Sequence, residues 1–187
     1  MLIARHGRRR GFTLVEVLVT FGLIAVLAAV VMPNIRGRLQ DGYEDALVNE
    51  FSSLASAVSA YRQDVGHYPP KLDYLTVLPA SPDDFCGHDL SVADSAKWRG
   101  PYVSRSITTA ASYTVFQKDS VQDLLTRPIG NPTVIQIVIN GADTTTAHNV
   151  DLKIDGAVNK TSGTLLWSLN GNGTIMSYSI PTRNGAC

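Results

Sequence analysis

The chain has 187 residues with 16 basic and 16 acidic side chains, a formal net charge of zero. No basic excess favours nucleic acid as the main ligand. Two cysteines are too few for a disulfide-scaffolded mini-protein, and the length allows one ordinary domain beside a long helical segment.

The first eleven residues contain Arg5, Arg8, Arg9 and Arg10 and no acid. Phe12 to Met32 follows, 21 residues whose only polar side chains are Thr13, Glu16 and Thr20. At the helical rise this segment reaches about 31 Å, enough to cross a bilayer core. Pro33 marks the end of the span. A secretory signal peptide has a shorter apolar region and a small-residue cleavage site. An ordinary signal anchor fits better, with the arginines retained in the cytoplasm and the remainder exported. Neither explains Glu16. An unpaired carboxylate in hydrocarbon is costly, so an intramembrane acid is a functional-site hypothesis by default.

The run Gly11-Phe12-Thr13-Leu14-Val15-Glu16-Val17-Leu18-Val19, behind its basic leader, resembles the prepilin signature of type IV pilins and type II secretion pseudopilins. The resemblance implies cleavage between Gly11 and Phe12 by a prepilin peptidase and N-methylation of Phe12. It implies that Glu16 and Pro33 serve assembly, with Glu16 next to the N-terminal amine of a neighbouring subunit. Such a desolvated pair contributes modest net stability but strong register specificity. A protonated, harmless Glu16 is the alternative before assembly. Loss of the leader removes four arginines, leaving twelve basic against sixteen acidic side chains.

The helix is expected to continue past Pro33 to Val65, with Gly37 and Gly42 as weak points. Pro33, Gly37 and Gly42 together mark either a hinge or a mere point of curvature. Tyr43, Leu47, Phe51, Leu54, Val58, Tyr61 and Val65 recur at spacings of three and four and form one apolar stripe. Glu44, Asp45, Asn49, Glu50, Ser52, Ser56, Arg62 and Gln63 read as the solvated face. Gly66 is a helix stop, with Pro69-Pro70 beyond it. Tyr61 to Tyr68 and the segment Trp98-Arg99-Gly100-Pro101-Tyr102-Val103 are similar to the major pseudopilins of type II secretion. The resemblance is densest over residues 8–70 and 98–103.

A polar loop, Pro79 to Lys97, carries Cys86. Exported thiols meet an oxidising compartment, which favours a Cys86–Cys187 disulfide. Closing a loop of about 100 residues would contribute on the order of 4–5 kcal/mol in the chain-entropy treatment. It would also pin the C-terminus, as many pilins do. Two free buried thiols, or a metal pair with His88, are the alternatives, and no ligand spacing supports the second.

The C-terminal half reads as strands. Ser112 to Gln117 alternates weakly. Thr133 to Ile139 is β-branched and nearly continuous, as a strand buried on both faces should be. Thr164 to Leu169 and Thr174 to Ile180 flank Asn170-Gly171-Asn172-Gly173, a hairpin signal. Val150 to Ile154 is ambiguous between helix and strand. Major pseudopilins are shorter here and bind calcium in a C-terminal loop. Asn140, Asp143, Asp151 and Asp155, with Asn149 nearby, offer the oxygen ligands calcium prefers, but without a strict spacing, and Asp and Asn are ordinary turn residues.

The expected architecture is therefore α+β and pilin-like. The first half of a long N-terminal helix is transmembrane, and its second half packs on an antiparallel β-sheet head. The expected divisions are 1–11 leader, 12–33 transmembrane and polymerisation helix, 34–66 amphipathic half, and 67–187 exported head. No catalytic motif is present: His67, His88 and His148 are isolated, and there is no nucleophile elbow or phosphate loop. Asn159-Lys160-Thr161 and Asn172-Gly173-Thr174 match a glycosylation pattern but read as turn composition. The leading expectation is a non-enzymatic filament subunit without a cofactor, with calcium as the one open alternative. The resemblance implies, as partners, the prepilin peptidase, copies of the chain, other pseudopilins and an inner-membrane assembly platform. The N-terminus would be cytoplasmic, and the head periplasmic, then in a periplasmic or extracellular filament. A minor tip subunit that binds a surface, DNA or secreted substrate is the second hypothesis, and a signal-anchored periplasmic domain the third.

Overall fold

The computed structural model describes residues 11–78, 82–104, 113–116, 119–128, 133–171 and 173–182. The chain divides into two compact units, one ending at Asp41 and one beginning at Gly42. Helix α1 (Leu14–Val65) contributes residues to both and continues through Pro33, Gly37 and Gly42.

In the first unit, residues 11–32 are all exposed, including Phe12, Leu18, Phe21 and Leu27. A helix apolar on every side satisfies its backbone internally and needs lipid or protein around it. It is long and apolar enough to cross a membrane.

The second unit is built on the stripe. Leu47, Phe51, Leu54, Val58, Tyr61 and Val65 are buried, and Tyr43 is partly so. Arg62 and Glu50 are half-buried, and Glu44, expected on the solvated face, is instead buried. The helix stops at Gly66, whose φ of 90° lies in the left-handed region and whose N–H donates to the Arg62 carbonyl at 2.8 Å. Glycine takes that conformation without a Cβ penalty. A 3-10 turn, Leu72–Leu75, then folds Leu72, Tyr74 and Leu75 into the core. The loop expected over Pro79 to Lys97 contains a short helix, α2 (Val92–Ser95), capped by the Ser91 hydroxyl.

Five strands form one antiparallel sheet: β1 (Tyr113–Phe116), β2 (Asp119–Pro128), β3 (Thr133–Ala142), β4 (Leu165–Asn170) and β5 (Gly173–Pro181). Their order is β1-β2-β3-β5-β4. β3 is central, and Val134 to Ile139 are buried on both faces, as the continuous apolar run predicts. β4 and β5 form the expected hairpin, closed by the pair Asn170–Gly173. Between β3 and β4 lies α3 (Thr144–Asp155), which resolves the ambiguous Val150–Ile154 segment as helix. Asp143 caps it by accepting the Thr146 N–H at 2.7 Å, and Gly156 ends it at φ 73°. Ile135, Ile137, Ile139, Leu165, Met176 and Ile180 form one core with the α1 stripe, and Phe51 stacks on Tyr178 at 5.4 Å.

Candidate functional site

Residues 11–32 carry a single acid, Glu16. Thr13 stands before α1, and its hydroxyl accepts the Glu16 N–H at 3.2 Å. Threonine followed three residues later by glutamate is the capping-box pattern, which satisfies amides left open by the first helical turn. The carboxylate at that end also complements the helix dipole. Both effects stabilise the start of α1 at the residues where cleavage and assembly are expected. The capping role of Thr13 went unread in the sequence, although the Thr-x-x-Glu spacing signals it. The Thr20 hydroxyl donates to the Val17 carbonyl at 2.8 Å, so this polar group is satisfied within the helix.

In the head, Asp84 organises the turn that carries Cys86. Its Oδ1 accepts the N–H groups of Cys86 at 2.8 Å and His88 at 2.9 Å. Its Oδ2 lies 3.3 Å from His88 Nδ1 and 3.6 Å from His67 Nδ1. Burial pushes the Asp84 carboxyl up, but the amides of His88 and Cys86 and the His88 imidazole outweigh burial and hold it below the ordinary value. Cys187, the expected partner of Cys86, lies outside the described residues. Nearby, the Tyr102 hydroxyl donates to Asp64 at 3.0 Å, and the Trp98 indole N–H donates to the Tyr74 carbonyl at 3.0 Å. The Trp98–Val103 segment is thereby tied to α1 and to the 3-10 turn.

A second buried carboxylate joins α1 to α3. Glu44 Oε1 accepts the Asn149 side-chain N–H at 2.7 Å, and Oε2 lies 3.1 Å from Lys153 Nζ. Lys153 also pairs with Asp45 at 2.8 Å. The hydrogen bond to Asp45 raises the lysine above its ordinary value, burial opposes it, and Glu44 adds to the rise. Burial of Glu44 corrects the reading of a solvated face: two polar side chains of α3 replace the water it loses. Nothing in the local sequence signals this, because the partners are more than a hundred positions away.

The four residues expected to hold calcium are not brought to one point. Asp143 caps α3. Asp151 Oδ2 accepts the Asn159 N–H at 2.7 Å and the Trp167 indole N–H at 3.1 Å. Asp155 accepts the N–H groups of Thr164 at 3.0 Å and Leu165 at 2.9 Å, one on each oxygen. Asn140 lies on β3 with its side-chain oxygen buried and without a partner among the described residues. No group of three or more His, Cys, Asp or Glu side chains is placed to hold a metal ion among the described residues. This arrangement does not fit one calcium ion.

A capped helix whose first half is apolar and carries one acid, continuous in sequence with a small α+β head, is a pilin-like fold. Residues 6–32 match the model of the prokaryotic N-terminal methylation motif. The chain is similar to the type II secretion system core protein G of Pectobacterium carotovorum, 36% identical over 75 residues, 40% of this chain and 48% of that protein. The protein of the same name from Escherichia coli K12 is 35% identical over 75 residues, 40% and 52% of the two chains. That of Vibrio cholerae is 30% identical over 79 residues, 41% and 54% of the two chains. The chain thus spans about half the length of the curated relatives it matches. No solved structure matches it. The chain thus carries a prepilin-type N-terminal methylation motif, and its matched segment is similar to type II secretion system core protein G.

Proposed function

We propose that this chain is a structural subunit of a type II secretion pseudopilus or a related type IV pilus-like filament, and that its work is mechanical rather than catalytic. The observation that carries this reading is the methylation motif lying on the fully exposed apolar first part of α1, residues 14–32. In this reading a prepilin peptidase cuts after Gly11 and the new amine of Phe12 is methylated. Residues 12–33 anchor the subunit in the inner membrane with the leader in the cytoplasm. An inner-membrane assembly platform then transfers that helix from lipid to the packed helices of other copies and other pseudopilins.

Glu16 supplies register. A neighbour's Phe12 amine would satisfy its charge in the dry filament core, whereas a subunit shifted by a turn would leave it unpaired. Helix α1 runs without a break through Pro33. A Cys86–Cys187 disulfide would hold the chain terminus to the Asp84 turn once the head is in the periplasm.

Intact mass and N-terminal sequencing of membrane-extracted protein, with and without reductant, test this directly. The expected product begins at N-methylated Phe12, and the non-reduced form is lighter by two hydrogens. A chain that still begins at Met1 in a host with active prepilin peptidase would overturn the reading in favour of a signal-anchored domain.

A further inference from the structure

We infer that the loop from Gly156 to Thr164 is held closed by the carboxylates of Asp151 and Asp155 acting on N–H groups, in place of a cation, so that the head folds independently of calcium. The two acids stand four residues apart near the C-terminal end of α3. That is the negative end of the helix dipole, where acids are unfavourable unless something compensates. Four N–H donors do so. Asp151 takes one from the loop, at Asn159, and one from the Trp167 indole on β4. Asp155 takes two from the loop's exit into β4, at Thr164 and Leu165.

A cation and an N–H donor compete for the same oxygen lone pairs, and the partial positive charge of the N–H repels the ion. Calcium requires six to eight oxygens. Both oxygens of Asp155 and one of Asp151 are already directed at donors. Backbone also fills the space: at Gly163, φ 119°, an added Cβ would run into the Asp155 carboxylate. The loop therefore lies directly against the group that would have to hold the ion. One oxygen is left over, Asp151 Oδ1, buried and without a partner among the described residues. A single oxygen does not make a calcium site.

The test uses the full chain in detergent. Thermal unfolding is followed by tryptophan fluorescence in EDTA and in millimolar calcium chloride, with calcium binding measured by calorimetry. Amide hydrogen exchange is compared between wild type, Asp151→Asn and Asp155→Asn. The same melting midpoint with and without calcium is expected, with no saturable binding. In Asp155→Asn the amides of Thr164 and Leu165 should lose roughly tenfold or more of their protection, and calcium should not restore it, because charge-assisted hydrogen bonds are the stronger class. Saturable calcium binding that raises the midpoint of the wild type would overturn the inference, even if neither variant folds. Unchanged protection of Thr164 and Leu165 in a folded Asp155→Asn variant would overturn it equally.

Discussion

Glu16 and Glu44 lie on one helix and meet opposite surroundings. Glu44 has its partners inside its own chain, Asn149 and Lys153, and is buried with them. Glu16 is exposed in the isolated subunit, among residues that are themselves exposed and apolar. Among the described residues no side chain pairs with its carboxylate, and this asymmetry supports the assembly role proposed above. Glu16→Ala should leave processing after Gly11 largely intact, because the cut lies outside the helix, while filament yield falls sharply. Pulldown of sheared filaments beside N-terminal sequencing reads both effects; wild-type filament yield and stability would contradict the pairing role. Asp84 offers a test by pH. Its carboxyl is held below the ordinary value, so its contribution to stability is present above the unfolded-state value and is lost as pH falls through the lower folded-state one. Asp84→Asn should cost about 1–2 kcal/mol at neutral pH, where the charge is lost from two amide hydrogen bonds. In urea titrations that difference should shrink as pH falls through the lowered folded-state value, where the wild type becomes protonated as well.

At the scale of elements, legibility followed how local the signal was. The α1 stripe, the Gly66 stop, the central β3 and the β4–β5 hairpin are each written in consecutive residues, through periodicity or turn chemistry. β2 went unread because its pairing with β3 shifts register between Val121 and Leu124. A bulge of that kind breaks the alternation by which a strand is recognised. α3 stayed ambiguous over Val150–Ile154 because its start, the Asp143 cap, lay inside a polar stretch that read as ligands. In the same stretch, Asp143, Asp151 and Asp155 cap a helix and pin a loop, and composition alone does not separate an acceptor for N–H groups from an acceptor for a cation. The long-range polar contact at Glu44, whose partners Asn149 and Lys153 lie more than a hundred positions away, needed the fold to be seen. The central strand should carry the largest single-residue cost. Ile137 is fully buried between β2 and β5, in the core shared with α1. Ile137→Ala is expected to destabilise the head by about 2–5 kcal/mol, read as a lower urea midpoint at unchanged slope.

For the whole molecule, the division at Asp41 and Gly42 separates two kinds of stability. Every residue of the hydrophobic core lies from Leu47 onward, and the first buried side chain among the described residues is Glu44. Residues 11–32 bury nothing within the chain. The head should therefore not need the anchor in order to fold, and the anchor should need lipid or other subunits. Cutting the chain just before Asp41 tests this with a favourable new helix start. Asp41 can act as N-cap of the shortened helix. The truncated chain is expected to be soluble without detergent, to unfold cooperatively, and to retain the Asp84 pH dependence, while forming no filaments when it replaces the full chain. Calorimetry and sedimentation read the first two properties. A truncated chain that stays soluble only in detergent, or that lacks a cooperative transition, would show that α1 stabilises the head from beyond its own core residues. The mechanical reading would then have to treat anchor and head as one folding unit, in which transfer of the helix from lipid to filament strains the head as well.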